Sequence, residues 1–182
     1  MRIIAGDYKG RKLLAPRTLR IRPTSDRVRE SLFNILGPRF EGAHVLDLYA
    51  GVGTLGLEAL SRGAERATFV DVFHQALQYL RKNSEFCRDK VDIIPADVHK
   101  VCDALAKRGK NFDVVFIDPP YQQGLIDPLL KKLDQKSLFR SDFVGVVQHS
   151  IREKFEETWN HFCVADKRIY GETQITFLES KQ

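Results

Sequence analysis

The sequence predicts an α/β fold organised around a mostly parallel β-sheet, and three observations carry that prediction. Short apolar runs of strand length alternate with segments whose apolar residues recur at helical spacing. One run, His44-Val45-Leu46-Asp47-Leu48-Tyr49, feeds a loop in which Gly51, Gly53 and Gly56 satisfy G-x-G-x-x-G, and the loop opens a helix. Another, Val114-Val115-Phe116-Ile117, ends in Asp118-Pro119-Pro120-Tyr121, where two prolines forbid both helix and sheet pairing.

Taken in order, residues 2–15 read as a β-hairpin or short ribbon: Arg2-Ile3-Ile4-Ala5 and Arg11-Lys12-Leu13-Leu14 flank the turn-rich Gly6-Asp7-Tyr8-Lys9-Gly10. Pro23 pushes Arg22 out of helical conformation, and Thr24 or Ser25 can cap a helix whose apolar face is Val28, Leu32, Ile35 and Leu36. Gly37-Pro38 stops it. Arg27 and Arg29 sit in its first turn, where the helix dipole disfavours cations, a hint that they serve a phosphate. The first βαβ unit spans residues 44–72, its second strand running from Arg66 to Val70 and ending in Asp71. A helix over 74–86 turns Ala76, Leu77 and Leu80 inward. The strand Val91-Asp92-Ile93-Ile94 ends at Pro95-Ala96-Asp97, and a helix runs from Val98 to about Lys107. After the strand Phe112–Ile117, Leu125, Leu129, Leu130 and Leu133 mark another helical face. Phe143–Val147 is a fifth strand, and Val164–Ile169 with Gln174–Leu178 forms a closing hairpin.

Composition bounds the possibilities. At 182 residues, 43% hydrophobic and 29% charged, the chain is one domain with a small extension and a substantial core. No apolar run approaches a membrane span and the start lacks a signal-peptide core, so the expected location is cytoplasmic. Cys87, Cys102 and Cys163 are widely spaced and the five His show no ligand spacing, so neither a disulfide framework nor a metal site is expected. Charge is segregated: residues 1–30 hold nine Lys or Arg against three acids, whereas the rest of the chain holds 20 against 21. A basic extension over 1–37 attached to a near-neutral body over 38–182 is the footprint of a polyanion binder; the plainer reading is a solvated basic surface. Tyr8 among Lys9, Arg11 and Lys12 stacks on a base or is an exposed turn aromatic.

The candidate chemistry lies at strand ends. Ligands of open α/β sheets bind at the carboxyl edge of the strands. There the Asp118–Tyr121 corner offers a carboxylate, proline carbonyls and an aromatic ring, which suits a flat ring bearing an amine, such as a nucleobase. The plainer reading is a strand-to-loop stop with a capping Asp and a surface Tyr. Asp71 stands where an acid receives ribose hydroxyls. Asp97 accepts from an adenine amine, caps the following helix, or does both. Asp47, just before the glycine loop, would repel a pyrophosphate and suits a ligand with an ammonium and a sulfonium, which is S-adenosylmethionine. It is equally a carboxylate satisfied by loop N–H groups.

The series Asp47-Leu48-Tyr49-Ala50-Gly51-Val52-Gly53-Thr54-Leu55-Gly56, an acid at 71, an acid at 97 and Asp118-Pro119-Pro120-Tyr121 resembles the class I methyltransferases. More narrowly, the chain resembles the RsmD family, bacterial guanine-N2 methyltransferases of 16S ribosomal RNA. The specific parts are Arg2-Ile3-Ile4-Ala5-Gly6 with Lys9-Gly10-Arg11, Arg22-Pro23-Thr24 with Asp26-Arg27-Val28-Arg29-Glu30, Leu32-Phe33-Asn34, the run Gly56–Ala64, and Tyr170-Gly171-Glu172-Thr173. One departure is Asp71-Val72-Phe73, where the family usually has Glu after the second strand; Phe73 packs on the adenine or joins the core.

The resemblance implies a Rossmann-like, seven-stranded, mostly parallel sheet whose last strand is antiparallel, preceded by a hairpin and helix. It implies that Asp47, Tyr49, Gly51, Gly53, Gly56, Asp71, Val72, Asp97 and Val98 hold S-adenosylmethionine and that Asp118, Pro119 and Tyr121 receive the guanine. Lys9, Arg11, Lys12, Arg22, Thr24 and Arg27 are expected to contact RNA. The expected partner is 16S ribosomal RNA within the small subunit or an assembly intermediate, met by a monomer that needs neither a metal nor a general base of tuned pKa. Two other functions fit the same motifs: adenine-N6 methylation of RNA or DNA, and RNA-binding ribosome assembly without turnover.

Overall fold

The computed structural model describes residues 1–16, 26–136 and 138–181; Arg22 and Thr24 lie outside them. The elements are α1 (Asp26–Leu36), β1 (His44–Leu48), α2 (Thr54–Ser61), β2 (Arg66–Asp71), α3 (His74–Asn83), β3 (Val91–Pro95), α4 (Val98–Lys107), β4 (Phe112–Ile117), α5 (Ile126–Asp134), β5 (Phe139–Ser150), β6 (Phe162–Tyr170) and β7 (Thr173–Ser180). They build one seven-stranded sheet of order β3-β2-β1-β4-β5-β7-β6. β1 to β5 pair in parallel, while β7 pairs antiparallel with both β5 and β6. The expected seven strands and reversed last strand are both present. β7 is wedged between β5 and β6, so its first residues lie at the carboxyl edge of the parallel strands.

The near-continuous apolar runs of β1 and β4 follow from helices covering both faces. Alternate residues serve opposite cores: Val45, Val114 and Phe116 pack with α1, α2 and α3, and Leu46, Val115 and Ile117 pack with α4 and α5. Full burial of each such side chain stabilises the fold by about 1.5–3 kcal/mol.

Residues 1–16 form the expected hairpin only as a short antiparallel ribbon. An antiparallel bridge joins Arg2 to Lys12, with the Ile3 N–H donating to the Arg11 carbonyl at 3.0 Å and the Leu13 N–H to the Met1 carbonyl at 3.1 Å, while other backbone donors of the segment are taken by the body. The Ile4 and Ala5 N–H groups donate to the Glu58 carboxylate at 2.7 and 3.1 Å. The Leu14 N–H donates to Asn83 Oδ1 at 2.8 Å, and that of Asp7 to the Ser61 carbonyl at 2.8 Å. Gly6 makes this close approach possible: its φ is +79°, and a Cβ there would stand 1.7 Å from the Ser61 carbonyl oxygen. Gly6→Ala should therefore destabilise the protein by about 2–4 kcal/mol. Urea unfolding measures this, and a change below about 0.5 kcal/mol would contradict it.

The first helix keeps Leu32 and Leu36 of the expected face buried and Val28 packed against the core, and adds Arg29 and Phe33 in place of Ile35. Its buried face is Arg29, Leu32, Phe33 and Leu36, while Ile35 is exposed. Arg29 is therefore not a phosphate contact. Its fully buried guanidinium donates from Nη2 to the Arg2 carbonyl (2.9 Å) and to Asp26 Oδ1 (2.7 Å), so it joins α1 to the N-terminal segment. α3 ends at Asn83 and gives way to a 3-10 turn over Glu85–Lys90. The Asn83 side chain ties the Leu14 and Val52 carbonyls to this point, at 3.0 and 3.1 Å.

Candidate active site

The sheet reverses strand order between β1 and β4, and there the carboxyl ends of β1, β2 and β4 surround a cavity of about 800 Å³. That volume lies within the range of small-molecule sites. Asp47, Tyr49, Gly51, Asp71, Val72, Phe73, Asp97, Asp118, Pro119, Pro120 and Tyr121 all line it. The nominated strand-end acids and the Asp-Pro-Pro-Tyr corner thus share one space.

Each residue is placed by its strand and a local bond. Asp47 is buried, and its Oδ2 accepts from the Gly56 N–H at 2.9 Å. Gly56 is required by close approach, since a Cβ would meet Phe69 Cε1 at 2.3 Å. Burial pushes the Asp47 carboxyl up to about 8; the Gly56 N–H opposes this, and Asp118 and Asp71 add to it. Tyr49 takes a left-handed φ of 61° as the chain turns into the loop. Its hydroxyl is pushed up to about 12 by burial, helped by Asp97 and other acids. Asp71 accepts from the Gly51 N–H through Oδ2 (2.8 Å) and from the Phe73 N–H through Oδ1 (2.7 Å). Asp97 caps α4 through the His99 and Lys100 N–H groups, at 2.9 and 3.2 Å. Phe73 is 45% exposed and lines the cavity rather than the core.

Gly53 and Gly56 shape the loop behind the cavity without lining it, and the Val98 side chain packs in the α4–α5 core. Burial pushes the Asp118 carboxyl up to about 7, opposed by a hydrogen bond from Gln148. A carboxyl shifted in this way was not visible in the sequence, although the expectation that no general base of tuned pKa is needed does not turn on it. The cause is packing around the strand tip, which the motif does not encode. Gln148 was not singled out in the sequence; a glutamine closing an apolar strand carried no signal.

The basic segment begins at the cavity, where Met1 forms part of the wall. Lys9, Arg11, Lys12 and Arg27 are exposed. Tyr8 is half-buried against Phe86, their ring centroids 4.5 Å apart, and the Arg11 guanidinium lies 4.2 Å over the same Phe86 ring. Tyr8 is thus engaged in packing rather than standing as an exposed turn aromatic. Among the described residues, no group of three or more His, Cys, Asp or Glu could hold a metal ion, and no helix is long and apolar enough to cross a membrane.

A reversed β7 wedged beside β5, with a cavity at the β1–β4 switch point, defines the class I methyltransferase architecture. The E. coli structure titled a putative methyltransferase, yhhF, superposes with a TM-score of 0.86 at 30% identity, covering 100% of this chain and 98% of that one. The family described as Conserved hypothetical protein 95 matches residues 1–179. The B. subtilis protein named putative rRNA methyltransferase YlbH is 36% identical over 100% of both chains. Ribosomal RNA small subunit methyltransferase D of E. coli strain K12 is 36% identical over 94% of this chain and 86% of its own length. The chain belongs to this family, the RsmD family.

Proposed function

We propose that this protein transfers a methyl group from S-adenosylmethionine to the exocyclic N2 of a guanine in 16S ribosomal RNA, as a cytoplasmic monomer acting on the small subunit or an assembly intermediate. One observation carries the reading: the acids suited to the donor and the Asp-Pro-Pro-Tyr corner suited to an amine-bearing base line the same cavity. The name of the E. coli relative supplies the substrate class.

The residues fit the donor. Asp47 suits a cationic amino-acid end, each Asp71 oxygen retains capacity to accept from a ribose hydroxyl, and Phe73 and Val72 offer apolar surface to an adenine. Gly51, Gly53 and Gly56 let backbone approach closely, and Asp97 with the backbone at Val98 stands at the adenine end. When bound, S-adenosylmethionine supplies an electrophilic methyl whose bond to sulfur breaks as the guanine nitrogen attacks. That nitrogen is a poor nucleophile because its lone pair is delocalised into the ring. Asp118 and the Pro119 carbonyl accept hydrogen bonds from the amine, favour a pyramidal nitrogen and stabilise the charge that develops on it; the methylated nitrogen then releases its extra proton to solvent, leaving a neutral base and a neutral thioether. Tyr121 stacks on the extruded base. Holding both reactants near attack distance contributes several kcal/mol, of order 7 in favourable cases.

Residues 1–37 form the RNA-binding portion of this reading, with Lys9, Arg11, Lys12, Arg22, Thr24 and Arg27 as its contacts. Replacing Arg11, Lys12 and Arg22 by Ala should weaken RNA binding and reduce the slope of log K against log salt by about 2–3, with donor affinity unchanged. Titrations at several salt concentrations measure the slope, and an unchanged value would remove these residues from the interface. The reading as a whole is tested by methyl transfer from labelled S-adenosylmethionine to naked 16S RNA and to assembled subunits. Transfer to at least one is expected, and transfer to neither contradicts it.

A further inference from the structure

The Asp118–Tyr121 corner is held by residues outside its own motif. Gln148 on β5 donates from Nε2 to Asp118 Oδ1 at 3.0 Å, and the Tyr121 hydroxyl donates to Thr173 Oγ1, on β7, at 3.3 Å. Gln148 and Thr173 are 6% and 8% exposed, so each bond has one buried partner. Topology brings the two together. Because β7 runs antiparallel to β5, Thr173 pairs with Ser150 at the end of β5, two positions beyond the pairing of Gln148 with Ile175.

The same placement gives a role to Tyr170-Gly171-Glu172-Thr173, which the proposed mechanism leaves unused. Gly171 takes a φ of +62° at the turn between β6 and β7. The Glu172 carbonyl accepts from the Ile151 N–H at 3.1 Å. The Tyr170 hydroxyl shares a 2.6 Å hydrogen bond with Ser31 Oγ on α1. The hairpin tip thus spans from α1 to the ring at position 121.

We infer that Gln148 and Thr173 are positioning residues for methyl transfer: Gln148 fixes the Asp118 carboxylate, and Thr173 fixes the Tyr121 ring. The inference rests on the reading of the corner as the base site. With Oδ1 engaged by the Gln148 amide, the amine of a bound base is received by Oδ2. The Gln148 donor also favours the ionised form of Asp118, against its burial. Neither residue transfers a proton or touches the methyl.

Gln148→Met keeps the length of the side chain and removes its amide. Its kcat at pH 7 should fall about fivefold, as the acid limb of the kcat–pH profile moves from about 7 up by about one pH unit. The deficit then narrows at pH 9, and donor Kd stays within about twofold of wild type. Thr173→Val should raise KM for RNA or lower kcat by roughly fivefold, the worth of one hydrogen bond, and Thr173→Ser should restore it. Wild-type profiles and constants in both variants would overturn the inference while leaving the corner's role intact. A carboxyl-carbon NMR titration of Asp118 in the unliganded protein is independent of turnover. Gln148→Met should raise its midpoint, and an unchanged midpoint overturns the role of Gln148 even if the wild-type enzyme transfers no methyl. If Gln148→Met does not fold, Gln148→Glu serves in the same titration, because a second acid at 3 Å should raise the midpoint further.

Discussion

Asp118→Asn should lower kcat by about 10²–10³-fold while leaving S-adenosylmethionine affinity within about threefold of wild type. The substitution keeps the volume and one acceptor oxygen but removes the charge that complements the developing cation on the guanine nitrogen. A neutral amide cannot replace that charge in a site sheltered from water. The pH dependence carries a sign. The Asp118 carboxyl is pushed up to about 7 by burial, and only its ionised form accepts from the amine with full strength. Wild-type kcat therefore rises as pH climbs through about 7 and levels above it, and Asp118→Asn should lack that limb. Single-turnover transfer at several pH values, with calorimetry for the donor, separates the two effects. Turnover near wild type would remove Asp118 from the chemistry.

Asp47→Asn should weaken S-adenosylmethionine binding by about 10–100-fold, the range expected for losing a charge-assisted contact. The amide oxygen can still accept from the Gly56 N–H, so the loop keeps its shape. Stability should move the other way. The wild-type carboxyl is raised to about 8 in the folded protein, from an ordinary value of 3.8. The folded state thus binds a proton that the unfolded chain has released across that window. Its contribution is fully present below about 4 and is lost as pH rises through about 8. Asp47→Asn should therefore be more stable than wild type at pH 9 in the absence of ligand. Calorimetric binding and urea unfolding at pH 6 and pH 9 test both halves. An unchanged donor Kd would leave Asp47 as a purely structural acid.

The sheet and cavity floor were legible because their signals are local. The β-branched and aliphatic runs of β1 and β4, the glycine spacing from 51 to 56 and the two prolines at 119 and 120 each constrain backbone directly. Asp97 showed both of its readings' common ground, since an acid at a strand end before a helix is placed to cap it whether or not it also meets a ligand. What escaped depends on residues distant in sequence. The ribbon over 2–15 is anchored to Glu58, Ser61 and Asn83, partners that periodicity within the segment cannot reveal. Arg29 reads as a surface cation because burying a guanidinium is costly, and among the described residues the Arg2 carbonyl and Asp26 compensate for it. The raised pKa of Asp118 and the grip of Gln148 both arise where β4 meets β5, 30 residues apart along the chain.

The central claim is that the corner at Asp118 presents a guanine amine to a methyl donor. Its most direct test is the identity of the modified nucleoside. 16S RNA methylated by this protein should be digested and its nucleosides resolved by chromatography and mass spectrometry, so that isomers of equal mass separate. N2-methylguanosine is the predicted product; N6-methyladenosine, or no methylated nucleoside at all, would contradict the account.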